Sequence, residues 1–153
     1  MSDAEAMVGV LADAELYRFT GGEPPTLDEL TARYERQVAG PPDGSTATWL
    51  NWIVRLDGEP VGYAQATVQN EPGARLAELA WVIGTRWQGR GLASRSAALV
   101  KRWLEGQGVG RFLASIHPEH RASERIAERL GLTQLGGVGA GGERTWDTAA
   151  DTA

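Results

Sequence analysis

The sequence predicts an α+β fold: a mixed central sheet flanked by helices. Apolar residues recur at helical spacing twice before residue 40, so the chain opens with helices. Three runs rich in tryptophan, valine, tyrosine and threonine then follow one another across short turns, which is the mark of an antiparallel meander. A full helical stretch separates the third run from a fourth, and such a crossover returns the chain parallel and right-handed.

The elements follow in order. In Met1 to Leu11, Ala4, Met7, Val8 and Leu11 fall on one helical face, with Asp3 placed to cap it. After the loop FTGGEPPT, Thr26 followed by Glu29 reads as a capping box opening a second helix, with Leu27, Leu30 and Tyr34 on its apolar face. The runs WLNWIVRL (49–56) and VGYAQATV (61–68) flank a DGEP turn, and ARLAELAWVI (74–83) follows QNEPG. Ala93, Ala97, Val100 and Leu104 give the stripe of a helix over 92–105, closed by Gly106 and Gly108. RFLASI (111–116) is the parallel strand. A helix over 121–130 carries Ala122, Ile126 and Leu130 on one face and stops at Gly131. LTQL and ERTWDT then read as two short strands around the glycine-rich loop GGVGAGG. Trp49, Trp52, Trp81 and Trp103 are expected in the core, while Trp87 stands apart beside the turn before the central helix.

A chain of 153 residues fits one domain spanning 1–153. Fifteen basic residues against twenty acidic ones give a net charge of −5. That balance argues against broad, backbone-driven nucleic-acid binding and requires any anion site to be local. No apolar run approaches the roughly 18 residues of a membrane span. With no cationic apolar leader and no cysteine, a cytoplasmic location is expected, with neither a disulfide framework nor a membrane partner.

The stretch RWQGRGLASR, residues 86–95, carries the functional signal. A loop feeding a helix start presents unpaired amide groups at the positive end of the helix dipole, where phosphate binds. The plainer alternative is that Gly89 and Gly91 only permit the turn. The Walker loop needs a Gly-Lys-Ser/Thr ending that is missing here, and a dinucleotide fingerprint fails at Ser94 and at the antiparallel meander before it.

Gln88-Gly89-Arg90-Gly91-Leu92-Ala93 fits Q/R-x-x-G-x-G/A between a strand and a helix, and HPEHRASERIAERLGL is similar to N-x-A-S-x-x-x-A-x-x-L-G-F. On these segments the chain, from about residue 3 to 148, resembles the GNAT superfamily of N-acetyltransferases. LADAELYRFTGGEPPTLDELTARYERQ resembles the branch that contains the ribosomal-protein N-terminal acetyltransferases.

The resemblance implies a single GNAT-like domain using acetyl-CoA as cosubstrate. Backbone amides of Gln88, Gly89, Arg90, Gly91, Leu92 and Ala93, with Ser94 in the first helical turn, would hold the diphosphate. Trp81, Val82 and Ile83 would grip the pantetheine arm where their strand splays from RFLASI. Glu78 stands where several members place a general base. Strand alternation puts it with Leu76, Ala80 and Val82, and burial there would make it a better proton acceptor; a surface carboxylate at the sheet's edge is the alternative. Ala127 replaces the family's tyrosine acid. Ser123, one turn earlier, resembles a serine proposed for that role, although an ordinary helical serine also fits. His120 replaces an asparagine that contacts the coenzyme. Pro118 between His117 and His120, with no clear third ligand, implies no metal site.

The implied reaction is direct acetyl transfer to a primary amine, on a protein N-terminus or a small molecule, since no cysteine is present to carry an acyl intermediate. An α-amine with a pKa near about 7.8 is substantially neutral at pH 7, whereas neutralising a lysine costs on the order of 4.6 kcal/mol. The alternative is a non-catalytic acyl-CoA-binding or sensor domain. The chain begins inside the family's first helix, so the family's first strand is expected to be missing, leaving an open sheet edge or one covered in a homodimer.

Overall fold

The computed structural model describes residues 2–139 and 141–148. Met1, Ala140 of the glycine-rich loop and residues 149–153, which belong to the expected first helix, loop and domain range, lie outside the described residues. The order is α1 (Asp3–Val10), α2 (Leu27–Ala39), β1 (Ala47–Leu56), β2 (Glu59–Glu71), β3 (Ala74–Ile83), α3 (Leu92–Gly106), β4 (Arg111–Ile116), α4 (Arg121–Arg129), β5 (Thr133–Gln134) and β6 (Arg144–Asp147). A short 3-10 turn at Ala14–Tyr17, which the sequence pattern did not reveal, follows α1.

The six strands form one mixed sheet in the order β1-β2-β3-β4-β6-β5, antiparallel except for the β3–β4 pair. Among the described residues no strand precedes α1, and β1 forms one open edge. The β1–β2 turn is narrower than the DGEP stretch: Asp57 and Gly58 alone turn the chain, at φ of 51° and 82°, the two left-handed positions that a two-residue hairpin demands. Ser2, not Asp3, caps α1, through a complete capping box with Glu5, because the helix begins one residue earlier than the apolar spacing suggests. Thr26 caps α2 as expected, accepting from the Glu29 amide at 3.2 Å.

Strand alternation divides the sheet into two unlike faces. On one, Ala64, Ala66, Ala77, Leu79, Phe112 and Ala114 pack against α3 and α4. On the other, Ile53, Tyr63 and Val82 pack against Met7, Leu11 and Leu30 of the α1–α2 region. The buried face of α4 is Ser123, Ala127 and Leu130; Ala122 is exposed, so the stripe is rotated by one residue from the expected one. Trp49 and Trp103 are more exposed than a core role allows, and Trp52 and Trp81 are half-buried. Trp146 is the buried one, held in a strand too short to announce itself.

Arg111 at the start of β4 donates through Nε to both carboxylate oxygens of buried Asp147 at 3.1 and 3.2 Å, fixing β6 beside β4. At the other end of the sheet, Gly62 lets β2 approach the end of β3. A Cβ there would lie 2.2 Å from the Val82 carbonyl oxygen and 2.8 Å from the Ile83 side chain. Gly62→Ala is therefore expected to cost about 1 to 3 kcal/mol, read as a lowered urea midpoint at unchanged slope.

Candidate active site

The parallel ladder between β3 and β4 is short. It pairs Leu76, Ala77 and Glu78 with Arg111, Phe112 and Leu113, and then the strands part. From Leu79 to Ile83, β3 is held only by β2, so an opening runs between the two parallel strands. The Gly84 amide donates to the Val61 carbonyl at 2.8 Å, which sets the alternation of the β2–β3 ladder. It turns the backbone groups of Val82 toward β2 and those of Leu79, Trp81 and Ile83 toward the opening. Of the three residues expected along the pantetheine arm, Trp81 and Ile83 thus face it with their backbone, and Val82 does not. Leu79, which the sequence reading missed, does. The Ile83 carbonyl already accepts from Gln88 Nε2 at 2.9 Å.

The chain leaves β3 through a second 3-10 turn, Thr85–Trp87, and reaches α3 by way of two left-handed glycines, Gly89 at φ 81° and Gly91 at φ 74°. No side chain caps α3. The amides of Gly89, Arg90, Gly91, Leu92, Ala93 and Ser94 donate to no acceptor among the described residues. The Gln88 amide is instead spent on the Thr85 carbonyl at 3.3 Å, so the cradle begins one residue later than expected. No atom lies within 4 Å of a Cβ built on Gly89 or Gly91, so the loop is uncrowded at both glycines. Arg86 and Arg90 are exposed beside them, with Arg86 lying over the Trp87 ring at 5.3 Å. Trp87 itself packs inward, against Gly84 and Val10.

Glu78 sits where the ladder ends and accepts from Ser115 Oγ across the opening at 3.2 Å. It is exposed, as is Ala80, which favours the surface carboxylate of the two readings over a buried one in an apolar row. The face it occupies is the one covered by α1 and α2 further along, and only beyond Ala80 does that cover begin.

Ser123 lies on the opposite face, buried at the start of α4. Trp81 Nε1 donates to its hydroxyl oxygen at 3.2 Å, and His120 Nε2 lies 3.2 Å from the same oxygen. His120 is the N-cap of α4: its Nδ1 accepts from the Ser123 amide at 3.3 Å. A neutral imidazole accepting at Nδ1 carries its hydrogen on Nε2. The Ser123 oxygen then accepts twice, from Trp81 and from His120, and its own hydrogen is left to point elsewhere. Phe19, from the loop between α1 and α2, stacks on His120 at 4.8 Å and on His117 at 5.3 Å, binding that loop to the start of α4. Neither Trp81 nor Phe19 was identifiable from spacing as part of this cluster. Among the described residues no group of three or more His, Cys, Asp or Glu side chains is placed to hold a metal.

Fold and site together define a class: an acyl-coenzyme-dependent transferase domain with its sheet opened between two parallel strands. The family model described as Acetyltransferase (GNAT) domain matches residues 1–133, and the chain belongs to that family of acetyl-CoA-dependent acyltransferases. No curated protein matches it in sequence. The fold is similar to that of the aminoglycoside acetyltransferase AAC(6')-Ib in complex with coenzyme A, with 21% identity and a TM-score of 0.73, covering 95% of this chain and 88% of that one. It is similar also to a GNAT-family acetyltransferase from Bacillus anthracis, with 19% identity and a TM-score of 0.70, covering 95% and 86%. A domain from Methanocaldococcus jannaschii aligns with 19% identity and a TM-score of 0.71, covering 96% and 93%. No helix among the described residues is long and apolar enough to cross a membrane.

Burial holds the His120 pKa below the ordinary value, opposed by a hydrogen bond with its own backbone, reinforced by His117 and opposed by Glu124. The unfolded chain therefore binds more protons than the folded one between that lowered value and about 6.5. The stability this residue contributes is full above about pH 6.5 and declines as pH falls below it, when protonated Nδ1 no longer caps α4. The urea midpoint is expected to drop over that window, by about 1 kcal/mol where the cap is lost, and His120→Asn, a cap that does not titrate, is expected to flatten this part of the profile.

Proposed function

We propose that the domain transfers the acetyl group of acetyl-CoA directly to a neutral primary amine, with Glu78 receiving the amine proton and Ser123 donating one to the departing sulfur. The observation that carries this reading is the placement of the two groups on opposite faces of the same opening. Glu78 stands at its closed end on the α1–α2 face, and Ser123 lies beneath Trp81 on the α3–α4 face. An amine arriving over one face and a thiolate leaving toward the other would each meet the group it needs.

Acetyl-CoA, when bound, supplies a thioester whose carbonyl carbon accepts the amine nitrogen and whose carbon–sulfur bond breaks. The free amides of Gly89 to Ser94 and the dipole of α3 suit the diphosphate, and the open space at Gly89 and Gly91 allows it to come close. The outward-turned backbone of Leu79, Trp81 and Ile83 suits an extended amide-bearing arm. Glu78 removes one proton from the amine and Ser123 gives one to the sulfur, so the transfer is balanced and water resets both groups. Trp81 and His120 are positioning residues: by donating to the Ser123 oxygen they leave its hydrogen free to turn toward the sulfur. The exposed carboxylate favours an amine that is already largely neutral, an α-amine or a small-molecule amine, because no strongly activated base is present to deprotonate a lysine.

Ser94→Glu tests the cradle. A carboxylate in the first turn satisfies the α3 amides and keeps the helix, yet repels a diphosphate. The variant is expected to melt near wild type and to lose at least about a hundredfold in acetyl-CoA affinity by calorimetric titration; unchanged affinity would place the coenzyme elsewhere. Ser123→Ala is expected to lower kcat by about 10² while leaving that affinity within about twofold, measured by thiol release.

A further inference from the structure

We infer that the cavity between α2 and the sheet binds the acceptor through a carboxylate, with Arg33 as the counter-ion, so that the preferred amine carries an anionic group on the order of 5 to 10 Å from its nitrogen. This rests on the acetyl-transfer reading above and adds the substrate class to it. The cavity has a volume of about 270 Å³. That is smaller than the roughly 300 to 1,000 Å³ of a site enclosing a whole drug-sized ligand, and suits one end of a molecule whose other end lies outside.

Its lining mixes apolar and polar side chains, and its charge is of one sign. Arg33, Tyr34, Gln37, Asn51 and Tyr63 surround it above Leu30, and no aspartate or glutamate contributes. Arg33 is half-buried and has neither an ion pair nor a hydrogen bond among the described residues, an uncommon state for a guanidinium with five donors. The hydroxyl of Tyr34 is buried without a partner. Asp3, the acid whose charge reaches Tyr34, is tied to Arg55 at 2.6 Å. Burial raises the pKa of Tyr17, Tyr34 and Tyr63, and the charge of Arg33 draws each back down, so all three stay protonated; Tyr17 donates to the Leu11 carbonyl at 3.0 Å, and Tyr34 and Tyr63 line the cavity. A carboxylate would satisfy Arg33 and Tyr34 together.

Position connects this cavity to the reaction. Tyr63 pairs with Val82, and Gln65, also at its edge, pairs with Ala80, on the face that carries Glu78. One to two strand spacings of about 4.8 Å separate the cavity floor from the opening. A molecule with its amine at Glu78 and its carboxylate at Arg33 thus meets opposite charge at both ends. A polycation meets Arg33 at the inner one. The AAC(6')-Ib relative has been captured with kanamycin, a polyamine; this cavity has the opposite charge preference.

The test uses thiol release with ε-aminocaproate, its methyl ester, hexylamine, alanyl-glutamate and kanamycin, on wild type and Arg33→Met. The carboxylate forms are expected to exceed the ester by about tenfold or more in kcat/KM. Arg33→Met is expected to remove that advantage through KM, with hexylamine turnover and melting temperature near wild type. Preference for ε-aminocaproate over alanyl-glutamate identifies a free amino acid, the reverse a peptide end, and either supports the subsite. Equal rates for acid and ester, or a preference for kanamycin, would overturn it. If no amine is acetylated, titration of ε-aminocaproate alone decides: tighter binding to wild type than to Arg33→Met keeps the subsite while the transfer reading fails, and no difference removes the subsite as well.

Discussion

Everything distinctive about this domain follows from the place where two parallel strands stop pairing. Backbone N–H and C=O groups are obligatory hydrogen-bonding groups, and nearly all of those in protein interiors find partners. Here β3 keeps one edge unpaired from Leu79 onward, and within a few residues the start of α3 leaves a further row of amides uncapped. A chain able to cap α1 with Ser2 and α2 with Thr26 has not capped α3. Only Gly84 to Gln88 separate the two unsatisfied stretches, and on the proposed reading they serve an extended amide-bearing arm followed by a diphosphate. Extending the β3–β4 ladder would stabilise the sheet and close the site.

The opening is held by neighbours that do not take part in it. Gly62 brings β2 close enough to carry the end of β3 alone, and Gln88 turns back to the Ile83 carbonyl to keep that end from fraying. Beyond the opening, Arg111 and buried Asp147 fix β4 to β6, so β4 keeps its place although its ladder with β3 is short. Removing the exposed Arg111 would take a charged partner from a buried carboxylate, which gives the pair a structural part independent of chemistry.

Much of this was legible in the sequence because it depends on local rules. The Thr26–Glu29 box, the Asp57-Gly58 turn, the crossover through α3 and the glycines at 89 and 91 each announce themselves within a few residues. What was not legible depends on register and tertiary cover. Glu78 sits in an apolar row by alternation, yet neither helix covers that end of the row, so it is exposed. Val82 shares a strand with Trp81 and Ile83, but its backbone points the other way, and only the pairing with β2 decides that. Trp49 and Trp103 are large and apolar, but one lies on the edge strand and the other reaches from α3 to that edge, edge-on to Trp52 at 5.9 Å. The α4 stripe was misplaced by one residue because Ser123, a polar side chain, occupies a buried position. In each case a periodic pattern gives the face and the fold decides what lies over it.

On the proposed reading, that buried serine assists the leaving group in place of the family's tyrosine. A lone hydroxyl in the core has one hydrogen and two acceptor sites, and its hydrogen turns to whichever acceptor is nearest. In this chain both acceptor sites are filled by donors, Trp81 Nε1 from the strand and His120 Nε2 from the cap. The Nε2 donor is present in either charge state, whereas the Nδ1 acceptor exists only while His120 is neutral; burial, which disfavours the charged ring, and the cap at the α4 start both favour that form. Capping the helix and directing the serine proton thus fall to one imidazole. Unlike a cap that does not titrate, histidine ties the start of α4, and with it the backbone that carries Ser123, to pH.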